Sequence, residues 1–277
     1  MLRGQGLRAY RLAEREGENV SDEVVDRRSE IEDAARLIRE ARNVIALTGA
    51  GISTESGIPD FRGPQGVWTK DPAAEKRATL QHFVTNRDAR VQSWQNRLTS
   101  PLGMAEPNAG HAALTELHGK GKLGFLVTQN IDGLHQAAGF PASAIVEIHG
   151  TVHEFQCLSC PDRGPIEKVL ERVRAGDEDP HCRSCGGILK SATISFGQSL
   201  VVRDLERSQM AAERCDLVLA IGTSLGVYPA AGIVPLALQA GARLVIMNAQ
   251  ETPFDEYASV ILRGQLGKVL PEVAALV

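Results

Sequence analysis

Short apolar runs that end in polar residues recur along the chain, and many of the stretches between them place apolar residues at helical spacing. The first run, Val44-Ile45-Ala46-Leu47, is short and rich in β-branched residues, which favours a buried strand over a helix. Similar runs occupy residues 125–127, 144–148, 217–221, 244–247 and 259–262. Because strands alternate with helices, we predict an α/β fold built on a doubly wound parallel sheet.

Two segments interrupt this alternation of strands and helices. Residues 64–107 are predicted to be an inserted helical segment, because helical spacing returns from Leu80 to Leu98. Residues 151–190 carry four cysteines and are predicted to be a smaller lobe, after which 192–196 should return the chain to the main sheet. The large lobe then comprises about 29–63, 108–150 and 191–277.

Residues 1–28 are predicted to be a charged N-terminal arm. They mix arginine with glutamate and lack the apolar centre of a signal peptide. No apolar run reaches the roughly eighteen residues that a membrane helix needs, and the formal net charge of -4 offers no basic field for a polyanion. We therefore expect a cytoplasmic protein that binds neither nucleic acid nor membranes.

The smaller lobe carries two Cys-x-x-Cys pairs, formed by Cys157, Cys160, Cys182 and Cys185. Thiolates at this spacing suit a tetrahedral zinc ion, and four of them leave no open position for water or substrate, so we predict a structural zinc site. Two unrelated cysteine pairs are the weaker interpretation, and His153 or His181 is a weaker choice of ligand. The fifth cysteine, Cys215, begins an apolar run and is predicted to lie in the core.

A glycine turn, Thr48-Gly49-Ala50-Gly51-Ile52-Ser53, follows the first predicted strand. Such turns let backbone N–H groups approach a phosphate at a helix N-terminus, although a tight turn without a ligand fits the same pattern. A hydride-transfer dehydrogenase would carry a third glycine where this chain has Thr54. The pattern therefore argues against an ordinary dehydrogenase.

Polar residues also follow other predicted strands, at the edge where ligands bind in open parallel sheets. They are residues 128–135, His149-Gly150, Gly222-Thr223-Ser224 and Asn248. Residues 55–63 combine an aromatic ring, a carboxylate and a guanidinium with helix-breaking glycine and proline. Loops of this composition beside a glycine turn are typical of functional lids.

Taken in order, these motifs resemble those of the sirtuins, which are NAD-dependent protein lysine deacylases. They are GAGISTESGIPDFRG at 49–63, TQNIDGLH at 128–135, HG at 149–150, the four cysteines, FG at 196–197, GTSLGVYP at 222–229 and Asn248. The resemblance covers about residues 30–275. It implies a Rossmann-like large lobe, a smaller zinc lobe and NAD as a co-substrate.

The resemblance assigns NAD contacts to the strand ends and to the lid. The implied residues are Gly49, Ala50, Gly51, Ser53, Asp60, Phe61, Arg62, Trp68, Gln129, Asn130, Ile131, Asp132, Gly222, Thr223, Ser224, Asn248, Ala249, Gln250 and Leu266. It also implies that His149 is the general base, a role that suits an imidazole titrating near neutral pH. Asn130 and Asp132 are the other implied catalytic residues, and His135 is expected to be architectural.

The implied reaction removes an acyl group, acetyl in the simplest case, from a protein lysine and releases nicotinamide and O-acyl-ADP-ribose. The acyl-lysine peptide is expected to add as a strand in the cleft between the lobes, at Phe196-Gly197 and Gly226-Val227. Gln198 departs from the Glu that many relatives carry at this point.

Other activities remain open at this stage. Relatives that remove succinyl groups carry Tyr-x-x-Arg in the inserted helix, where this chain has Trp94 and Arg97, so an acidic acyl group is one alternative. We expect acetyl-lysine to be the better substrate because the tyrosine is missing. An NAD-dependent protein ADP-ribosyltransferase is a second alternative. A non-catalytic NAD-binding module is a third, and the presence of His149 argues against it.

Overall fold

Two β-sheets organise the chain in the computed structural model, which describes residues 20–64, 66–71 and 73–277. In chain order the strands are β1 (Val44–Thr48), β2 (Leu123–Thr128), β3 (Ile145–Glu147), β4 (Gly150–Cys157), β5 (Arg163–Pro165), β6 (Leu189–Thr193), β7 (Leu217–Ile221), β8 (Arg243–Met247) and β9 (Val260–Leu262). The order β3-β2-β1-β7-β8-β9 forms a parallel sheet. The order β5-β4-β6 forms a smaller antiparallel sheet.

Helices connect the strands of both sheets. In chain order they are α1 (Val20–Glu40), α2 (Val67–Lys70), α3 (Ala73–Arg77), α4 (Leu80–Thr85), α5 (Arg87–Thr99), α6 (Ala109–Gly119), α7 (Leu134–Ala137), α8 (Glu167–Arg174), α9 (Val202–Arg214), α10 (Ile233–Gln239) and α11 (Leu266–Ala275). Short 3-10 helices occupy Ala50–Ser56, Pro101–Gly103, Ala142–Ala144, Ala230–Gly232 and Asp255–Tyr257.

Strand β1 shows that the large sheet is covered on both faces. All of its residues are buried. Ala46 packs in a cluster with residues of α1, α6 and α11, whereas Ile45 and Leu47 pack with residues of α9 and α10. Because successive side chains point to opposite faces of a sheet, a strand covered on both sides is a continuous apolar run. The predicted doubly wound α/β fold is confirmed.

The smaller lobe joins the antiparallel sheet to the helical insertion. Its core contains Trp94 of α5, Phe155 of β4 and Leu189 of β6, together with apolar residues of α8. Arg90 of α5 also forms a largely buried ion pair of 2.8 Å with Asp179. The helical insertion and the cysteine-bearing segment therefore share one core instead of forming separate units.

Two predicted elements take a different form in the structure. The helical run within the insertion is divided into α4 and α5, because the Asn86 side chain caps α5 by accepting hydrogen bonds from the backbone N–H groups of Asp88 and Ala89. Residues 192–196 do not return the chain to the large sheet. Strand β6 ends at Thr193 and pairs with β4 of the small sheet, so the run at 192–196 overlaps the end of that strand instead of forming one in the large sheet.

Helix α1 begins at Val20 and so crosses the predicted boundary between the arm and the domain at residues 28 and 29. Residues 1–19, which make up most of the predicted arm, lie outside the described residues. Among the helices that the structure describes, none has the length and apolar character required to cross a membrane.

Candidate functional site

The glycine turn lies at the point where the strand order of the large sheet reverses, between β1 and β7. Gly51 N–H donates to the Gly222 carbonyl at 2.8 Å. A Cβ atom at Gly51 would lie 2.8 Å from Gly222 Cα, and one at Gly49 would lie 2.7 Å from the Gly222 oxygen. The two turns therefore pack backbone against backbone, which requires glycine. A short 3-10 helix, not an α-helix, begins at Ala50.

Ser53 is the centre of a buried hydrogen-bond network at this edge of the sheet. Its hydroxyl donates to Asp132 Oδ2 at 2.8 Å and accepts from Asn130 Nδ2 at 3.1 Å. The other Asp132 oxygen accepts from the backbone N–H of Leu134 at 3.0 Å. All three side chains are at most 8% exposed. The structure thus brings together residues 53, 130 and 132, which are up to 79 positions apart in the sequence.

Two buried histidines that the motifs did not assign to the site support this network. His111 Nδ1 accepts from the backbone N–H of Asn108 at 3.2 Å, which leaves the ring proton on Nε2, 3.5 Å from Ser53 Oγ. His135 Nε2 lies 3.0 Å from Thr48 Oγ1, and the two imidazole rings meet edge to face. Burial lowers the pKa of His111 to about 4 and that of His135 to about 3.

Asn108 is the signal that could have revealed His111. Asn108 is the N-cap of α6, and it also donates from Nδ2 to the Ile52 carbonyl at 2.8 Å. The cap therefore joins the start of α6 to the glycine turn. His111, at the third position of the helix, bonds to the backbone of this cap and lies beside the same turn.

His149 follows β3 and is partly buried. Its Nδ1 lies 3.0 Å from the Gln129 carbonyl, so Nδ1 carries the proton and Nε2 keeps a free lone pair. Burial lowers the His149 pKa below its ordinary value, and the hydrogen bond to Gln129 partly opposes this effect. The His149 carbonyl accepts from Ile194 N–H at 2.7 Å. The imidazole is therefore oriented as a neutral base.

The remaining strand ends provide further polar groups. Gln129 Nε2 donates to Thr223 Oγ1 at 2.9 Å, which links the ends of β2 and β7. Asn248, after β8, is buried and donates to the Gln250 carbonyl at 2.8 Å. Ser224 is partly buried, whereas Ala249 and Gln250 are exposed. Leu266 is 5% exposed at the start of α11, and Ile131 accepts from Val152 N–H through its carbonyl.

The predicted lid, residues 55–63, contributes Phe61 to an aromatic cluster with Trp68 and Phe196. Phe61 and Trp68 have ring centroids 4.8 Å apart, and Trp68 and Phe196 have centroids 5.4 Å apart. The Arg62 guanidinium lies 4.4 Å from the centre of the Trp68 ring. Asp60 Oδ1 accepts from Gly63 N–H at 3.1 Å, so its carboxylate shapes the loop. Trp68 therefore links Phe61 of the lid to Phe196 of the FG motif.

The four cysteines predicted to bind zinc come together. Their sulfur atoms all lie within 4.8 Å of one another, with Cys157 and Cys185 3.5 Å apart and Cys160 and Cys182 3.6 Å apart. A tetrahedral ion with Zn–S distances of about 2.3 Å requires sulfur atoms about 3.8 Å apart, so the cluster fits zinc. The predicted alternative ligands lie elsewhere, since His153 Nε2 bonds to the Asp132 carbonyl and His181 Nδ1 to that of Gly186.

The predicted substrate residues fall into two groups. Phe196 is half-exposed beside a cavity of about 570 Å³ that Thr79, Leu80, Gln81, Val84 and Gly197 also line. Gly226 is exposed and Val227 partly buried in the loop after β7. Trp94, in contrast, is 2% exposed in the core of the smaller lobe, and Arg97 contacts Ser191 of β6.

The family model described as the Sir2 family matches residues 49–229. The chain belongs to the Sir2 family. A sirtuin of Streptomyces coelicolor, NAD-dependent protein deacetylase 2, is 46% identical over 228 residues, which are 82% of this chain and 95% of the relative. A sirtuin of Rhodopseudomonas palustris, NAD-dependent protein deacetylase, is 41% identical over 244 residues, 87% of this chain and 95% of the relative.

A solved sirtuin structure superposes with a TM-score of 0.81 at 32% identity, covering 88% of this chain and 97% of the other. It holds a Sir2 variant with a deacetylated p53 peptide and 3'-O-acetyl ADP ribose. The likeness extends over both lobes, so the predicted sirtuin fold, including the Rossmann-like sheet and the cysteine lobe, is confirmed.

Proposed function

We propose that this sirtuin removes acyl groups, acetyl above all, from lysine side chains of proteins in a reaction that consumes NAD and releases nicotinamide and O-acyl-ADP-ribose. The observation that carries the proposal is the state of His149, a neutral imidazole with a free Nε2. It follows β3 at the same edge of the sheet as the glycine turn and the Ser53 network. A base beside a phosphate-binding turn suits proton transfer from a ribose hydroxyl.

The cofactor-binding residues are proposed from their positions at this edge. The turn at Gly49-Ala50-Gly51 would lie beside the pyrophosphate, because it follows β1 at the carboxyl edge of the sheet, where the strand order reverses. The Gly49 and Gly51 N–H groups are bonded to the carbonyls of Ile221 and Gly222 and fix the turn in place. Asn248 and Leu266 would hold the adenosine half. NAD, when bound, supplies the ribose carbon that accepts the acyl oxygen as nicotinamide leaves.

The protein contributes orientation and one base. Asn130 and Asp132 are held rigid by Ser53, so they present fixed polar groups to the ribose and nicotinamide. His149 Nε2 accepts the proton of a ribose hydroxyl, and the Gln129 carbonyl stabilises the resulting imidazolium through Nδ1. Phe61 and Trp68, whose rings contact each other, would cover the site and exclude water when NAD is bound.

The acyl-lysine peptide is proposed to pair with residues near Phe196-Gly197 and Gly226-Val227. One edge of Phe196 is already used, because its N–H donates to the Ala78 carbonyl and its carbonyl accepts from Leu80 N–H. The peptide would therefore pair beyond Phe196, next to the cavity lined by Leu80 and Val84. Cys157, Cys160, Cys182 and Cys185 would hold zinc in a purely structural role.

The chemical test is direct. Purified protein is incubated with NAD and an acetyl-lysine peptide, and the products are identified by mass. We expect free lysine peptide, nicotinamide and O-acetyl-ADP-ribose in equal amounts, and none of them without NAD. ADP-ribose attached to protein, without loss of acetyl from the peptide, would instead identify a transferase.

A parallel reaction with succinyl-lysine peptide tests the acyl group. We expect slower turnover than with acetyl-lysine, because Arg97 is mostly buried against β6 and Trp94 lies in the core. Faster turnover of succinyl-lysine would overturn this part of the proposal.

The domain limits, location and partners are also proposals. Residues 29–277 are proposed to be the catalytic domain after the arm at 1–28, with the zinc lobe near 151–190 and the helical insertion near 64–107.

Four of the five cysteines form the metal-binding cluster and none is paired in a disulfide, which supports a reducing, cytoplasmic location. Acyl-lysine proteins are the proposed partners, and the net charge of -4 supports the absence of nucleic-acid binding.

A further inference from the structure

Helix α4 forms one wall of the cavity beside the FG motif. At its start, Leu80 N–H donates to the Phe196 carbonyl at 2.9 Å. Leu80 and Val84 line the cavity of about 570 Å³ that Phe196 also lines. The helix has only 6 residues, and the last carbonyl groups of any α-helix find no partner within the helix itself. The position of this wall therefore depends on what holds the end of α4.

Arg90, on the next helix, provides the missing donors. Its Nη1 donates to the Val84 carbonyl at 3.0 Å and to the Phe83 carbonyl at 3.3 Å. Both carbonyls belong to the last turn of α4, where basic side chains can cap a helix. Arg90 is 8% exposed, so water has little access to these bonds. The guanidinium of α5 thus fixes the end of α4.

Asp179 of the smaller lobe holds the same guanidinium. Its Oδ1 accepts from Arg90 Nε at 2.9 Å, and its Oδ2 accepts from Arg90 Nη2 at 2.8 Å. This bidentate, charge-assisted geometry is strong and directional. The two side chains are only 10% and 9% exposed, and Asp179 precedes Cys182 by three positions. One planar group therefore connects the segment beside the cysteine cluster to the wall of the cavity.

A second pair joins the same two segments at the protein surface. Arg87, also on α5, lies 3.2 Å from Glu178, and both side chains are exposed. Among the hydrogen bonds that the structure describes, the Arg87 side chain makes none to α4. Exposed ion pairs contribute little to stability. The two neighbouring pairs thus differ in burial and in their connection to α4, which makes one the matched control for the other.

We propose that Arg90, held by Asp179, is a positioning residue for the acyl-lysine peptide. It fixes the end of α4, and with it the wall that Leu80 and Val84 contribute to the cavity. The inference rests on the proposed function, because it assumes that the peptide binds beside this cavity. The smaller lobe would then contribute to peptide affinity through α4, without a side chain of the pair touching the peptide.

Steady-state kinetics with acetyl-lysine peptide at saturating NAD test the pair. Arg90→Lys keeps the charge, but one ammonium group cannot bridge Asp179 and the α4 carbonyls as the planar guanidinium does. We expect KM for the peptide to rise at least about tenfold, with kcat within about twofold of its original value. A purely structural role would lower the active fraction, and hence kcat, while KM stayed the same. Arg87→Lys should change neither constant.

The unaltered protein separates this inference from the function on which it rests. If it deacetylates the peptide and Arg90→Lys shows the original KM, the positioning role is wrong and the proposed function stands. If it does not deacetylate the peptide, the proposed function fails and the inference fails with it. Should Arg90→Lys not fold, Asp179→Glu, which displaces the carboxylate by one methylene group, should likewise raise KM, and an unchanged KM would contradict the proposal.

Discussion

Ser53 Oγ donates a 2.8 Å hydrogen bond to Asp132 Oδ2, and this bond joins the glycine turn after β1 to the polar segment after β2. The same hydroxyl accepts from Asn130. One side chain therefore sets the positions of two polar groups that come from another part of the sequence.

Replacing Ser53 with alanine should leave Asp132 Oδ2 and Asn130 Nδ2 without their buried partner. We expect a loss of about 1–3 kcal/mol in the free energy of unfolding and at least a tenfold fall in kcat for deacylation. Thr54→Ala, which removes the neighbouring exposed hydroxyl, should change the unfolding free energy by less than about 0.5 kcal/mol. Urea unfolding and steady-state kinetics check both; equal effects of the two variants would contradict the role of Ser53.

His149 should determine the acid limb of the pH–rate profile. The base works only when neutral, and burial lowers its pKa. Activity should therefore persist as the pH falls to about 6.5, the ordinary histidine value, and decline only below it. His149→Asn should reduce kcat at least about a hundredfold, whereas His82→Gln, in α4, should leave the profile intact. An acid limb centred above pH 7 would refute this assignment.

Two buried histidines should make the fold sensitive to acid. The pKa values of His111 and His135 are about 4 and about 3 when folded, against about 6.5 when unfolded. Between these values the unfolded chain binds more protons, so the free energy of unfolding falls as the pH drops from about 6.5. By linkage each histidine should cost about 2 kcal/mol at pH 5.

Urea unfolding at pH 7 and pH 5 measures this loss. His111→Gln should diminish the difference between the two pH values, and His181→Gln, which changes an exposed histidine, should not. A difference that is the same in all three proteins would show that other groups cause the acid sensitivity.

Removing zinc should unfold the smaller lobe before the large sheet. We expect one zinc ion per chain, and Cys160→Ser or a strong chelator should release it and open residues 151–190 to proteolysis. Cys215→Ser is the control, since Cys215 lies in the hydrophobic cluster of the large sheet that contains Ile45 and Leu47, and its thiol donates to the Ala212 carbonyl. Metal analysis measures the zinc content, and limited proteolysis measures the opening of residues 151–190. Full zinc content in the Cys160→Ser protein would disprove the four-cysteine site.

Gly51→Ala should disturb the contact between the two turns. The added methyl group would lie 2.8 Å from Gly222 Cα, and backbone cannot move aside as a flexible side chain does. We expect a loss of about 1–3 kcal/mol of stability and NAD binding weakened by at least about tenfold. Gly119→Ala, at a helical position with open space, should be neutral or stabilising. Calorimetry of NAD binding distinguishes the two variants.

The sequence predicted the strands well because apolar runs such as 44–47 are buried on both faces, and it predicted the site where polar residues follow those strands. It did not reveal the contribution of His111. A histidine among the apolar residues of a helix resembles a core position, and Asn108 was the available signal, although its bond to the glycine turn and the closeness of His111 to Ser53, 58 positions away, are seen in the fold.

Trp94, in the inserted helix, shows what the motif comparison did not contain. The comparison with Tyr-x-x-Arg placed it among substrate residues, whereas α5 packs on the small sheet and buries it. The packing of α5 on the small sheet depends on residues distant in the sequence, and a short-range pattern does not contain that information.

His149, the proposed base, lies where the chain passes from one lobe to the other. His149 connects β3 to β4, and its carbonyl is hydrogen-bonded to Ile194 on the returning segment. A tilt of the cysteine lobe would therefore move the imidazole relative to the glycine turn and the Ser53 network. Deacylation should accordingly respond to crosslinks or crowding that restrict the lobes, even where no reacting group is touched.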